Sequence, residues 1–368
     1  MKTAAIFTFQ WSDNFGTVLQ AYALQAYLKK IGLDSSIVPL VPDTMYEFKK
    51  YFGRSIDACL IKWRRLLSSC ERDRRNKFAA FRQKFFEYRI KGLLPFSQCA
   101  GHEFLEDLLV FGSDNIWAPD VVQIGEAQGD VFYGKSIRHP RKIAYAPSAG
   151  GDLRSSPHRD VVAECIRSAG FKAISCREDS TVAVLRDAGL SAVRCPDPTM
   201  LLKAKDWRDI ADSSACPTGE YYFGYDLGHC NERSIAGICA DLAETDSAQY
   251  RVCYPNDWKR TLESGCAPTP QQWLALIDNA KGIVTNSFHG VMFSIIFNRP
   301  FVFVPIVGEY ERLNARAYGI IDRLKAENCI YHKGCSVGEL LSRCRVNAEL
   351  LSEFRKTGID YLESALGV

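Results

Sequence analysis

The chain has 368 residues, enough for two domains that each bury a core. A hydrophobic fraction of 47% and a charged fraction of 24% are ordinary for a soluble globular protein. The net charge of +3 points to no partner by itself, and no stretch approaches the ~20 apolar residues of a membrane-spanning helix.

In chain order, TAAIFTF (3–9) reads as a strand, and FGTVLQAYALQAYLKKIG (15–32) carries apolar residues at helical spacing. Asp13 or Asn14 suits the N-cap of this helix, and Gly32 its end. SSIVPLV (35–41) is a second strand, so the chain opens as a βαβ unit. From Lys49 to Lys91 there are 14 Lys/Arg against 4 Asp/Glu, a local charge of +10. Phe78, Phe81, Phe85 and Tyr88 recur there at helical spacing. This predicts a basic helical insert at about 45–92. Its charge is either a solvated face or attracted to an anionic membrane surface. No nucleic-acid motif accompanies it, so no nucleic-acid partner is expected.

The α/β alternation then resumes. EDLLVFGSDNIW, RKIAYAPSAGG, FKAISCREDS and VRCPDPTMLL each read as a strand ending in small or polar residues. Ligands gather beyond such strand ends in open parallel sheets. Residues 203–218 are polar and read as a linker after an N-terminal Rossmann-like domain at 1–202. A second set of strands and helices fills 219–336, and 337–368 reads as helical to the end. The fold class is therefore α/β, two Rossmann-like domains facing across a cleft, a common place for a ligand.

Fourteen cysteines include no C-x-x-C pair, and the start lacks the long apolar stretch of a secretory signal. Reduced thiols and a cytoplasmic location, at a membrane surface if the basic insert docks there, are expected; disulfides and metal are not.

TNSFHG (285–290) joins the strand GIVT to an apolar helix. Free N–H groups at that helix start suit an anion, and their field favours a neutral imidazole able to pass protons. His289 is thus the candidate acid, with Asn286, Ser287, Phe288 and Gly290 around the anion. Arg177 occupies the equivalent junction of the first domain, where a guanidinium fork grips phosphate or carboxylate. Asp13, Asn14 and Gly16 open the first helix, either as a plain cap or as part of an acceptor site. Gly112, Ser113 and Asp114 form a turn whose carboxylate suits a sugar hydroxyl, and Ser148 closes the next strand end. Asp197-Pro198-Thr199 reads as a rigid strand exit, hence structural. There is no P-loop, dinucleotide fingerprint, nucleophile elbow or metal-spaced His/Cys cluster.

In order, DNFGTVLQAYALQAYLKKIG, FGSDNIW, KIAYAPSAG, ISCREDSTVAVLRDAGL, DPTMLL and VTNSFHGVMFSIIFNRPFVFVP resemble the polysaccharide pyruvyl transferase family. The resemblance implies a GT-B-like fold and transfer of a pyruvyl ketal from phosphoenolpyruvate. The acceptor is then a sugar, nucleotide sugar or lipid-linked oligosaccharide of surface-polysaccharide assembly. Phosphoenolpyruvate is a co-substrate; no cofactor or metal is implied. By the same resemblance His289 and Arg177 belong to the donor site. The chain departs from many members in carrying Ser287 where they have Arg, with Arg299, Arg312 or Arg316 as the candidate substitute for the lost cation. A GT-B glycosyltransferase using a nucleotide sugar, and a non-catalytic binding protein of the same fold, are the alternatives.

Overall fold

The computed structural model describes residues 2–46, 68–229 and 233–367. Residues 47–67, the first half of the expected basic insert, lie outside the described residues, as do residues 230–232. The first sheet contains β1 (Thr3–Phe7) and β2 (Asp34–Ile37), linked by helix α1 (Phe15–Lys30). The single strand read at 35–41 is two pieces. Pro39 lacks an N–H and breaks the ladder, so β3 (Leu40–Val41) leaves to pair with β4 (Leu94–Pro95). The sheet continues with β5 (Leu108–Phe111), β6 (Lys142–Ala144), β7 (Ala173–Cys176) and β8 (Ala192–Arg194). All pairs are parallel, in the order β2-β1-β5-β6-β7-β8.

The second sheet holds β9 (Tyr221–Tyr225), β10 (Gln249–Cys253), β11 (Gly282–Thr285) and β12 (Phe301–Phe303). Its order is β10-β9-β11-β12, again all parallel. Strand order reverses direction at β1/β5 in the first sheet and at β9/β11 in the second. Such switch points open a crevice beyond the strand ends, where ligands bind. The chain is therefore two Rossmann-like domains in a GT-B-like arrangement, the architecture expected from the sequence.

Helix α1 is buried on nearly every side. Its cap is Asn14, whose side chain accepts from the Thr17 N–H at 3.3 Å. Phe15 reaches into the second domain, stacking on Trp273 at 5.3 Å and meeting Tyr225 edge-on at 5.9 Å. Trp273 and Trp207 both meet Phe293 edge-on, at 5.3 and 4.9 Å. One apolar core thus runs from the first sheet into the second. Trp207 lies in the segment read as a linker, which is here packed and partly helical.

The described part of the basic insert is α2 (Ser69–Phe85), closed by a Ser68/Glu71 capping box. Its buried Phe78 lies 5.0 Å from Phe15. Arg74 and Arg82 donate to Asp13, Lys77 donates to the Ala267 carbonyl at 2.7 Å, and Asp73 accepts from the Trp258 indole at 3.0 Å. Three of its cations are therefore held internally, and Lys77 together with Asp73 ties the helix to the second domain. No described helix is long and apolar enough to cross a membrane.

The helical stretch expected at the C terminus breaks at residues 344–347, where Asn347 caps a new helix. That helix returns to the first domain. Arg355 donates to the Met200 carbonyl at 2.6 Å and the Tyr361 hydroxyl donates to the Ala144 carbonyl at 2.8 Å.

Candidate functional site

The apolar helix after β11 is α3 (Phe288–Ile296), and Ser287 is its N-cap, accepting from the Gly290 N–H at 3.4 Å. Thr285 fixes the turn: its hydroxyl donates to the Tyr225 carbonyl at 2.8 Å and accepts from the Ser287 N–H at 3.0 Å. Asn286 points the other way. Its oxygen accepts from the Leu227 N–H at 2.7 Å, and its nitrogen donates to Asp226 at 3.1 Å and to the Gly228 carbonyl at 2.9 Å. Asn286 thereby holds the loop after β9.

His289 lies at the seam of the two domains, 8% exposed. A Cβ built on Gly16 would sit 2.5 Å from its Cε1 and closer still to Nδ1 and Cγ. Only glycine lets the first turn of α1 approach the ring this closely. The other ring edge, Nε2, is buried without a hydrogen-bond partner and lies 3.7 Å from Asp197 Oδ2.

Arg177 leaves the end of β7 and is 4% exposed. It donates to the Ser113 hydroxyl at 2.7 Å and forms an ion pair with the same Asp197 Oδ2 at 2.6 Å. That oxygen has no aligned hydrogen bond, so the contact with Arg177 is chiefly electrostatic. Two further guanidinium nitrogens, Nε and NH1, are buried with no partner. Such orphaned donors are costly unless a ligand satisfies them.

Asp197 is thus the centre of the arrangement, 1% exposed, with Oδ1 accepting from the Thr199 N–H at 2.9 Å and hydroxyl at 2.7 Å. Burial alone would raise its pKa. The Arg177 charge and His289 outweigh that and hold the carboxyl well below the usual range. The sequence reads Asp197 as a structural strand exit, and the structure adds a second set of contacts to that turn. Its turn does cap a short helix at Pro198–Leu201, but its second oxygen unites groups from two domains. The one signal in the sequence is an acidic residue at a strand end, too common to act on.

The other candidates divide. Ser113 bonds Arg177 and also donates to the Ala146 carbonyl. Gly112, at φ 143°, sits against the Tyr145 carbonyl, where a side chain has no room. Asp114 is buried and occupied internally, accepting from the Thr17 hydroxyl at 2.7 Å and from the Asn115 N–H at 2.9 Å. Asp13 is taken by α2, with Arg82 at 2.7 Å. Ser148 donates to Glu178 at 2.6 Å, whose other oxygen accepts from the Ala149 N–H at 3.2 Å.

A cavity of about 190 Å³ lies between the domains, walled by Arg177, Glu178 and Asp197 on one side and by Phe288, Met292 and Arg316 on the other. The Phe288 ring is 5.1 Å from the Arg177 guanidinium and 5.7 Å from that of Arg316. His289, expected to face the cleft, sits one layer behind this wall, backing Asp197. Among the described residues no cluster of His, Cys, Asp and Glu could hold a metal ion.

Among solved structures the chain is similar to UDP-GlcNAc 2-epimerase from Methanocaldococcus jannaschii, at 12% identity over 93% of this chain and 91% of that one, TM-score 0.48. It is also similar to UDP-GlcNAc 2-epimerase from Neisseria meningitidis bound to UDP-GlcNAc, at 8% identity over 99% and 100%, TM-score 0.49. A third likeness is to E. coli heptosyltransferase WaaC with ADP-2-deoxy-2-fluoro heptose, at 13% identity over 88% and 99%, TM-score 0.36. No curated protein matches the chain. The family model for polysaccharide pyruvyl transferase matches residues 14–306, a span holding the β9/β11 switch point, Arg177, Asp197 and the TNSFHG turn. The chain belongs to the polysaccharide pyruvyl transferase family.

Proposed function

We propose that the protein transfers the pyruvyl group of phosphoenolpyruvate to two hydroxyls of one sugar, in a surface polysaccharide or its nucleotide- or lipid-linked precursor. The observation that carries this is the meeting of Arg177 and His289, from different domains, on one ionised Asp197 beside an interdomain cavity. The spare donors of Arg177 suit an anionic donor.

In this reading Arg177 holds an acidic group of the donor. A proton reaches the donor's methylene carbon, and positive character develops at C2. A sugar hydroxyl forms one C2–O bond; a second hydroxyl forms another as the bond to phosphate breaks. One hydroxyl proton equals the proton gained by the methyl group, and the other leaves with phosphate. Asp197, ionised in the wall, steadies the positive character at C2 and holds Arg177 in place, and His289 positions Asp197 from behind. Positioning and fixed charge supply most of the acceleration. The route uses no cofactor.

Purified protein with phosphoenolpyruvate and a panel of sugar acceptors should release phosphate, and Arg177→Gln should abolish release. Stabilisation by a nucleoside diphosphate but not by phosphoenolpyruvate would turn the reading to a nucleotide-sugar transferase. Donor binding without turnover on any acceptor would turn it to a binding protein.

An anionic membrane surface as a further partner is supported by the +10 charge between Lys49 and Lys91. Binding to anionic vesicles that fades as salt rises is the expected result, and absence of binding at low salt removes the idea.

A further inference from the structure

Four guanidiniums line the interdomain cavity, and three of them have a carboxylate. Arg154 pairs with Asp152 at 2.7 Å, Arg194 pairs with Asp179, and Arg177 pairs with Asp197 at 2.6 Å. Arg316, on the helix Asn314–Arg323, has no ion pair among the described residues. Its NH1 donates to Asn115 at 3.1 Å, and its Nε is buried without a partner. The residue as a whole is half-buried. Burial first, and the charge of Arg177 second, disfavour its protonated form, while Asp114, Glu178 and Asp197 act on it only from beyond contact.

Two cations against one phenylalanine ring, in a small cavity, repel each other unless an anion joins them. The other arginines downstream of the TNSFHG turn are engaged elsewhere. Arg299 lies 3.6 Å from Asp278, and Arg312 pairs with Asp120 across the domain gap.

We propose that Arg316 is a second anion-binding residue of this cavity, taking one acidic group of a compact phosphorylated carboxylate while Arg177 takes the other. The identity of that ligand rests on the pyruvyl-transfer reading; the existence of a two-cation site does not. Because Arg177 and Arg316 belong to different domains, the ligand ties the two halves together and its binding opposes their separation.

The test is calorimetric titration of the full chain with phosphoenolpyruvate, inorganic phosphate, pyruvate and ADP, with melting temperatures alongside. The variants are Arg316→Gln, Arg316→Lys and Arg177→Lys. Arg316→Gln should weaken phosphoenolpyruvate binding about 10- to 100-fold, the worth of a charge-assisted hydrogen bond. Arg316→Lys should recover part of it. The melting temperature of ligand-free Arg316→Gln should hold or rise, because an uncompensated cation beside Arg177 has gone. Of phosphate and pyruvate, the probe that loses affinity in Arg316→Gln marks the group that Arg316 takes.

Unchanged phosphoenolpyruvate affinity in Arg316→Gln, with loss in Arg177→Lys, overturns the proposal and leaves the donor reading standing. ADP binding that depends on Arg316, without phosphoenolpyruvate binding, keeps the two-cation site and overturns the donor reading. A lowered ligand-free melting temperature with unchanged affinity makes Arg316 a structural strut and also overturns the proposal.

Discussion

Gly16→Ala isolates the contact between the first helix and the imidazole. The added methyl would lie 2.5 Å from His289 Cε1 and nearer to two other ring atoms, so ring or helix must move. The first turn of α1 is rigidly placed by Phe15, stacked on Trp273 at 5.3 Å, so the ring gives way. Overpacking of this kind costs about 1–3 kcal/mol. Alanine in a helix gains about 1 kcal/mol over glycine, leaving a net destabilisation of roughly 0–2 kcal/mol. The effect on turnover is larger, because a shift of about 1 Å in a catalytic group can cost about 100-fold. Urea denaturation and phosphate-release kinetics read the two effects separately. In a His289→Ala background the methyl has room, so Gly16→Ala should there become neutral or stabilising by up to about 1 kcal/mol. If the substitution costs the same stability with and without the ring, or leaves turnover intact in the otherwise native chain, the imidazole is not held where the structure puts it.

Asp197→Asn leaves the Arg177 guanidinium buried without its counter-charge and should lower stability by about 3–5 kcal/mol in urea denaturation; a change under about 1 kcal/mol would mean that the pair is not desolvated. The carboxyl of Asp197 is held below its usual range, so its stabilisation is complete above the unfolded value of about 3.9 and is lost as pH falls through the lower folded value. The stability gap between the native chain and Asp197→Asn should therefore stay constant from pH 7 to about 4 and narrow below; a gap that shrinks at pH 5–6 would contradict the direction of the shift. Tyr361→Phe removes one hydrogen bond from the C-terminal helix to the first sheet and should cost about 1 kcal/mol, visible as a lower urea midpoint with unchanged slope.

The strand ends and the α/β alternation were legible because each rests on local pattern. Pro39 also carried a readable signal, since a proline inside a strand run argues for a break. Other features depended on distant partners. The periodicity of α1 marks one apolar face, but Gln20 and Gln25 are buried too and find internal acceptors in Thr8 and Ser35. Asp197 looks like any capping aspartate until the fold brings Arg177 and His289 to its free oxygen. Asp114 drew attention as an open carboxylate, and only the packing of Thr17 against it shows that it is engaged. The charge of the insert was read correctly as a sum, while the inward direction of Arg74, Lys77 and Arg82 could not be read from composition.

The last helix starts after the second domain is complete and ends against the first, gripping it at Met200 and Ala144. The backbone therefore crosses the gap twice, near residues 203–220 and again before Ala348. Two crossings act like the paired pins of a door: they permit swinging about the line through them and resist any wrench across it. Any motion that parts the two halves must follow that single swing, with the far lips of the gap travelling most.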